Sequence, residues 1–255
     1  MKETRSLLKS LVVCGVALAM ISTLIAQPND QNDAKVVRMK GGARYKMGNG
    51  EWQPLKVGTV LRSGMVVQTA AGSQVDLVLG AVATPARGGA PSEMMSYSPT
   101  TDQNMVRIWE NTLLSVDKLT ANQTGADVVT ETQLDLKAGR ITGTVKKMSA
   151  ASKYEVKIPN GVAGIRGTVY DITAEGVVRV LSGSMVLAYV GPNGGVVTQV
   201  VNGLQQFDAR TGVLSSLPES ERGSMGRIIS QLRAGLTVAP TPVSANATLQ
   251  YVSPH

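Results

Sequence analysis

Cysteine and histidine are almost absent from this chain of 255 residues. The one cysteine, Cys14, lies in an apolar run near the N-terminus, and the one histidine, His255, is the last residue. Catalysis by a Ser–His or Cys–His pair is therefore excluded, because the one histidine lies in the tail. Metal binding by clustered histidines or cysteines is excluded as well, because a cluster needs more than one of these residues. A carboxylate pair of the glycosidase kind needs neither residue and stays open. Its candidates are Asp76, Glu131, Asp135 and Asp171.

Aromatic residues are also scarce, with two Trp, six Tyr and one Phe. Val, Leu, Ile and Met must therefore fill most of the core. We expect Trp52 and Trp109 to be core or staple residues, since large aromatic side chains are mostly buried. In a protein that binds the cell wall, the same two side chains would instead stack on sugars.

The charge of the chain is basic but not concentrated. There are 25 Lys and Arg against 18 Asp and Glu, a net charge of +7. The densest basic spot is Lys146-Lys147, which we expect on the solvated face of a strand. Nucleic-acid binding is not expected, because it needs a clustered basic face interleaved with aromatic residues.

Glycine is abundant, with 27 residues, and it divides the sequence into short runs. Between residues 35 and 80, β-branched and apolar runs are interrupted by glycines at the spacing of turns. The pattern predicts an all-β fold of many short, mainly antiparallel strands in a twisted sandwich or roll. Residues 81–104 contain three prolines and a Gly-Gly pair, and they predict a long loop inserted between two strands.

The N-terminus has the order of a secretory signal. Three basic residues among the first nine precede the apolar run Leu11–Ala26, and the polar Gln27 follows it. We expect residues 1–26 to be a signal helix that is removed, which places the protein in the periplasm or outside the cell. The remaining chain would carry 22 basic and 17 acidic side chains, a net charge of +5, and no cysteine. The alternative is that residues 10–26 stay as an inner-membrane anchor.

The remainder divides by composition. Residues 27–34 are polar and predict a flexible lead, whereas residues 35–212 hold the β pattern. Residues 213–236 predict a helical region, and residues 237–255 predict a disordered tail of small residues and prolines.

The helix itself is predicted over residues 219–235, with a start at Pro218-Glu219 and a stop at Gly235. Ile228, Ile229 and Leu232 fall on one of its faces. A helix of this kind either docks on the β domain or offers its apolar face to a partner.

The most informative segment is a glycine-rich corner between two alternating runs. Tyr154, Val156 and Ile158 alternate with charged residues, which is the period of a half-buried strand. The pattern stops at Pro159-Asn160-Gly161 and resumes over residues 168–172. The glycines between them do not match a dinucleotide fingerprint, and no P-loop sequence occurs.

This segment resembles the signature of the FecR-type domain, a bacterial extracytoplasmic β domain. The resemblance rests on Lys157–Gly161 and Val162–Thr168 and extends over residues 35–210. It implies a structural role for the motif, in which glycines supply close approach and unusual φ angles and the arginine ties neighbouring carbonyls or a carboxylate together. The motif residues are Pro159, Asn160, Gly161, Gly164, Arg166, Gly167 and Thr168.

The resemblance also implies a class of function. In sensor members of the family, a cytoplasmic segment restrains a sigma factor, one helix crosses the membrane, and the periplasmic part contacts an outer-membrane transporter. Here only about nine residues precede the apolar run, too few to form a domain. We therefore expect a non-catalytic envelope scaffold or signalling-associated module that binds an unknown envelope protein and needs no cofactor. The alternative is a protein that binds cell-wall polysaccharide or acts on glycans through carboxylates.

Overall fold

The computed structural model describes residues 32–80, 103–124, 127–191 and 193–234. These residues form an all-β fold with one helix at its C-terminal end, which confirms the predicted fold class. The predicted signal segment, most of the lead, nearly all of the 81–104 loop and the tail lie outside the described residues.

The described residues form sixteen strands and one helix, α1. Their bounds are β1 Ala34–Lys40, β2 Ala43–Met47, β3 Gln53–Pro54, β4 Val60–Leu61, β5 Met65–Thr69, β6 Gln74–Leu79, β7 Asn104–Ile108, β8 Leu113–Thr124, β9 Asp127–Ala138, β10 Arg140–Thr144, β11 Lys153–Ile158, β12 Gly161–Thr173, β13 Val177–Val190, β14 Val196–Asn202, β15 Gln205–Asp208, β16 Val213–Ser216 and α1 Glu219–Ala234.

The strands form one continuous sheet that folds into two halves. Half I has the order β4-β1-β6-β7-β10-β12-β13-β15-β16, and half II has the order β3-β2-β5-β8-β9-β11-β12-β13-β14. The long strands β12 and β13 run through both halves. The described pairs are antiparallel except β9 with β11, which is parallel.

Before β12 the chain crosses between the halves seven times, after β1, β3, β4, β5, β7, β9 and β10. The crossings after β1, β5, β7 and β9 lie side by side. Two buried threonines tie these crossings together. The Thr112 amide donates to Thr69 Oγ1 at 3.0 Å, and the Arg140 amide donates to Thr112 Oγ1 at 3.1 Å. Because each hydroxyl satisfies a backbone group that a crossing leaves unpaired, the row of corners can be buried.

The main core lies between the two halves. It is mostly aliphatic, with Val106 and Ile141 from half I and Leu134 and Val156 from half II. Its aromatic part is a buried pair, Tyr154 and Tyr170, whose hydroxyls lie 2.8 Å apart in a hydrogen bond. Burial raises the pKa of Tyr154 well above its ordinary value, because the phenolate would lose its hydration.

Helix α1 packs on the outer face of half I, so the helix docks on the β domain. Met225, Ile228, Ile229 and Leu232 are the buried residues of the helix, and they confirm the predicted apolar face. They form a second cluster with Val78, Met105, Val169 and Leu217 of the sheet side. Among the described residues, α1 lacks the length and apolar character that a membrane crossing requires.

Candidate binding surface

The predicted family motif lies where β11, β12 and β13 meet. Pro159 and Asn160 form the turn that places Ile158 opposite Gly161. Gly161 lies close to β13, since a Cβ there would come within 2.5 Å of the Ala188 carbonyl oxygen. Only glycine fits this position without a shift of the neighbouring strand.

Further along β12, the motif makes a corner with β13. The pairing register shifts between Arg166 and Val169, and here β12 leaves β11 and joins β10. Gly167 has a φ of 62° and Gly183 on β13 has a φ of 85°, both in the left-handed region that favours glycine. A Cβ on Gly183 would overlap the Gly167 carbonyl oxygen and lie 2.9 Å from Thr168 Cα. The two strands bend together because neither has a side chain at the contact.

The polar motif residues hold this corner in place. Thr168 is buried, and its hydroxyl donates to the Ser184 carbonyl at 2.6 Å. Arg166 is exposed, and its guanidinium donates to the Met148 carbonyl at 3.1 Å. Gly164 differs from the expectation. Its φ is not positive, and a Cβ there would meet its nearest atom only at 3.8 Å.

On the outer face of half I lies a row of charged residues that the sequence did not reveal. Asp76, Arg107, Thr142, Asp171 and Arg179 stand directly opposite one another on successive strands. Acids that alternate with apolar residues along a strand usually lie on its wet face, but Asp76 and Asp171 are 1% and 0% exposed. Helix α1 covers part of this row, and a strand pattern alone does not show where a helix will dock.

Each acid in the row is neutralised by arginine. Arg107 holds Asp76 with two parallel bonds of 2.8 and 2.9 Å, a bidentate geometry. Asp171 accepts from Arg140 at 2.8 Å and from Arg179 at 3.0 Å. These carboxylates are therefore fully engaged in structural ion pairs.

The arrangement of the acids does not favour glycan cleavage. Three strand spacings separate Asp76 from Asp171, about 14 Å, whereas glycosidase pairs lie about 5 to 9.5 Å apart. The other two candidates lie on half II beside lysines. Glu131 is 2.7 Å from Lys118, and Asp135, whose pKa is raised by burial, is 3.8 Å from Lys137.

The two tryptophans are half-buried rather than members of the main core. Trp109 packs against the helix-side cluster, and the guanidinium carbons of Arg107 and Arg140 lie 5.5 and 5.3 Å from its ring centroid. Trp52 has Arg44 at 4.5 Å from its ring centroid. Cations already occupy positions that a sugar ring would need for stacking.

An exposed apolar face lies on the outside of half II, where β12, β13 and β14 are neighbours. We call it the valine surface. Val186 and Val200 stand opposite each other, as do Val190 and Val196. Five valines of this surface are 37 to 77% exposed: Val162, Val186, Val190, Val196 and Val200. Isolated exposed apolar residues are ordinary, whereas these five valines are contiguous and come from three strands.

A depression of about 450 Å³ opens at one end of the valine surface. Val162, Val190 and Val196 line its apolar side, and Asp135 and Lys157 line its charged rim. The Lys157 ammonium is 2.9 Å from an Asp117 carboxylate oxygen. The depression thus combines an apolar lining of valines with a charged lining of Asp135 and Lys157.

Half II has two edges, the two-residue strand β3 and the seven-residue strand β14. Among the described strands β14 pairs only with β13. No charged residue occurs between Arg179 and Asp208, so β14 and every valine of the surface except Val162 lie in the longest region without charge that follows the corner. This charge-free run was the signal in the sequence that could have located the surface.

Comparison with known proteins gives one family match. The family described as FecR protein matches residues 94–185, a range that holds β7 to β12 and ends just after the Gly183 bend. No curated protein matches the chain. Two crystal structures of a candidate anti-sigma factor from Parabacteroides distasonis are similar, with 13% identity and TM-scores of 0.32 and 0.31. Each comparison covers 45% of this chain and 51% of the other, so the chain spans about half the length of those proteins. The match at residues 94–185 includes the corner glycines and Thr168, and it confirms the predicted resemblance to the FecR-type domain.

Proposed function

We propose that the protein is a non-catalytic binding module of the bacterial envelope, and that it docks another envelope protein on the valine surface. The observation that carries the proposal is the contiguous exposure of Val162, Val186, Val190, Val196 and Val200 on one side of three neighbouring strands. The basic, apolar and polar order of residues 1–30 supports the location outside the cytoplasm.

The chemistry of the surface favours a protein partner. Valine side chains have no hydrogen-bonding groups, so the surface gains by removing apolar area from water and gains little from a hydrated polysaccharide. The depression can receive an apolar side chain of the partner, whose neighbouring polar groups would meet Lys157 and Asp135 at the rim. An apolar centre with a polar rim is the usual anatomy of a protein interface.

A scaffold role also agrees with the state of the acids. Asp76 and Asp171 are buried in ion pairs with arginines, where neither can reach a substrate without breaking bonds of about 3 Å. These ion pairs connect neighbouring strands of half I.

The test compares charge substitutions on and off the valine surface. Val186→Lys with Val200→Lys places two charges opposite each other in the middle of the surface. The control variant, Val128→Lys with Val213→Lys, adds the same two charges at exposed valines elsewhere. We expect the first variant to bind its envelope partner at least about tenfold more weakly and the control to bind like the wild type.

The partner is first captured from envelope extract, identified by mass spectrometry and then purified for the binding measurement. Equal binding by both variants would overturn the valine surface as the docking site. Hydrolysis of peptidoglycan or another glycan by the purified protein, abolished by a single carboxylate substitution, would overturn the proposal as a whole.

A further inference from the structure

The free edge of β14 lacks the features that normally prevent a strand from pairing with another chain. Natural edges are blunted by charged side chains, proline or bulges. Strand β14 has the sequence Val-Val-Thr-Gln-Val-Val-Asn and pairs with β13 in unbroken register over all seven residues. It is therefore free of bulges, uncharged and rich in β-branched residues, which makes it a template for a further strand.

The direction of the backbone groups on this edge follows from the ladder. The Val190 amide donates to Asn160, on the side of β12, so Val190 and Val196 form a pair without mutual hydrogen bonds. In an antiparallel ladder such pairs alternate, so Val196, Thr198 and Val200 all turn their N–H and C=O groups away from β13. These groups face the open edge.

The edge is complementary to itself. In an antiparallel pair of two β14 strands centred on Thr198, Thr198 stands opposite Thr198 of the second copy and Val196 stands opposite Val200. Pairs of β-branched residues and pairs of threonines are favourable cross-strand neighbours. The three residues on each strand can form about six hydrogen bonds between the copies.

Charge also favours a second copy at this edge. Without residues 1–26 the chain has 22 basic and 17 acidic side chains, a net charge of +5, so two copies repel each other on average. Residues 180–207 contain no charge, so copies that meet at β14 avoid this repulsion. Among the described residues, Gln199 must move for this pairing, because its Nε2 donates to the Val200 carbonyl at 2.7 Å.

We propose that β14 pairs with β14 of a second copy, antiparallel and centred on Thr198, and that the pair joins two valine surfaces into one. An antiparallel pair places equivalent residues on the same face, so both surfaces lie on one side of the joined sheet. The row Val186–Val200 then continues into Val196–Val190 of the second copy. The dimer extends the proposed function by giving the envelope partner a surface of twice the width.

The first test measures the oligomeric state by sedimentation over a wide micromolar range. The wild type is expected to dimerise. Thr198→Pro removes the N–H at the centre of the edge, where β13 does not use it, and should weaken dimerisation at least about tenfold without loss of the fold. Thr198→Val keeps the N–H and the branched shape and should dimerise like the wild type. A monomeric wild type, or a dimer that survives Thr198→Pro, would overturn the inference.

The second test measures the register with single cysteines in a Cys14→Ser background, which has no other thiol. Residues at position 198 of the two copies should be about 5.5 Å apart, so Thr198→Cys should cross-link to itself. Residues at position 196 should be about 14 Å apart, four residues along the strand, so Val196→Cys alone should not. A mixture of Val196→Cys and Val200→Cys should cross-link in the heterologous pair. Self-linking at 196 but not at 198 would overturn the register.

The two proposals fail separately. A monomer that still captures its envelope partner through Val186 and Val200 overturns the dimer and leaves the docking site in place. A dimer with the expected cross-links that captures nothing supports the pairing of β14 and overturns the docking site. Pairing of β14 with a strand of another protein, rather than with itself, would overturn the dimer as well.

Discussion

Gly167 and Gly183 face each other across β12 and β13, and their contact decides whether two long strands can turn from one half of the sheet into the other. Both have positive φ, and the Gly167 carbonyl fills the place where a side chain of Gly183 would stand. Thr168 closes the corner with its bond to the Ser184 carbonyl. Gly167 belongs to the glycine motif, whereas Gly183 does not. The role of Gly183 could not be predicted from the motif, because it depends on how β13 pairs with β12.

We expect Gly183→Ala to lower the free energy of unfolding by about 2–4 kcal/mol, because strain at a positive φ adds to an overpacked contact. Gly164→Ala is the matched control on the same pair of strands. It has an ordinary φ and open space, so its effect should stay within about 1 kcal/mol. Urea unfolding measures both. Equal stability of the two variants would show that the corner relaxes freely around an added methyl group.

Individual strands were predictable from the sequence where one face is buried and the other is wet. The alternation of Tyr154, Val156 and Ile158 is the clearest case, and these three residues are buried in the structure. The partners of each strand were not predictable in the same way. The parallel pair β9–β11 joins Glu131 to Lys153 although β10 lies between the two strands in the chain, and such pairing depends on the whole sheet rather than on local pattern.

Helix α1 shows how docking changes the meaning of a sequence pattern. Its apolar face was open to two interpretations, and the structure places that face on half I, away from the valine surface. Substitutions at Ile229 and Leu232 should therefore act on stability and not directly on partner capture. The same docking explains why Asp76 and Arg107, which alternate like residues of a wet face, are both 1% exposed.

We expect Leu232→Ala to lower the free energy of unfolding by about 2–5 kcal/mol, because the side chain is 1% exposed and leaves a cavity against the sheet. Gly223→Ala on the exposed face of the same helix should raise it by about 0.5–1 kcal/mol, since alanine is the better helix former and the site is open. Circular dichroism during urea unfolding measures both. A Leu232→Ala variant as stable as the wild type would mean that α1 contributes little to the fold.

The two halves share their longest strands, and this has a consequence for how the protein unfolds. Strands β12 and β13 pair with neighbours in half I at one end and in half II at the other. The core between the halves draws side chains from both, so neither half can keep its buried face without the other. The motif predicts that these strands continue through a corner. It does not predict the shared core, because that core depends on the order in which the chain crosses between the halves, at Thr69, Thr112 and the other crossings.

We therefore expect the described β region and α1 to unfold in one cooperative transition. Val106→Ala in half I and Leu134→Ala in half II remove buried groups from opposite sides of the core, where both are 0% exposed. Each should lower the same melting temperature, by several degrees for a loss of about 2 kcal/mol or more. Calorimetry decides the question, because a single transition gives equal calorimetric and van't Hoff enthalpies. If Val106→Ala shifted one transition and Leu134→Ala shifted another, the halves would be independent units, and the corner at Gly167 and Gly183 would be a hinge between them instead of part of one core.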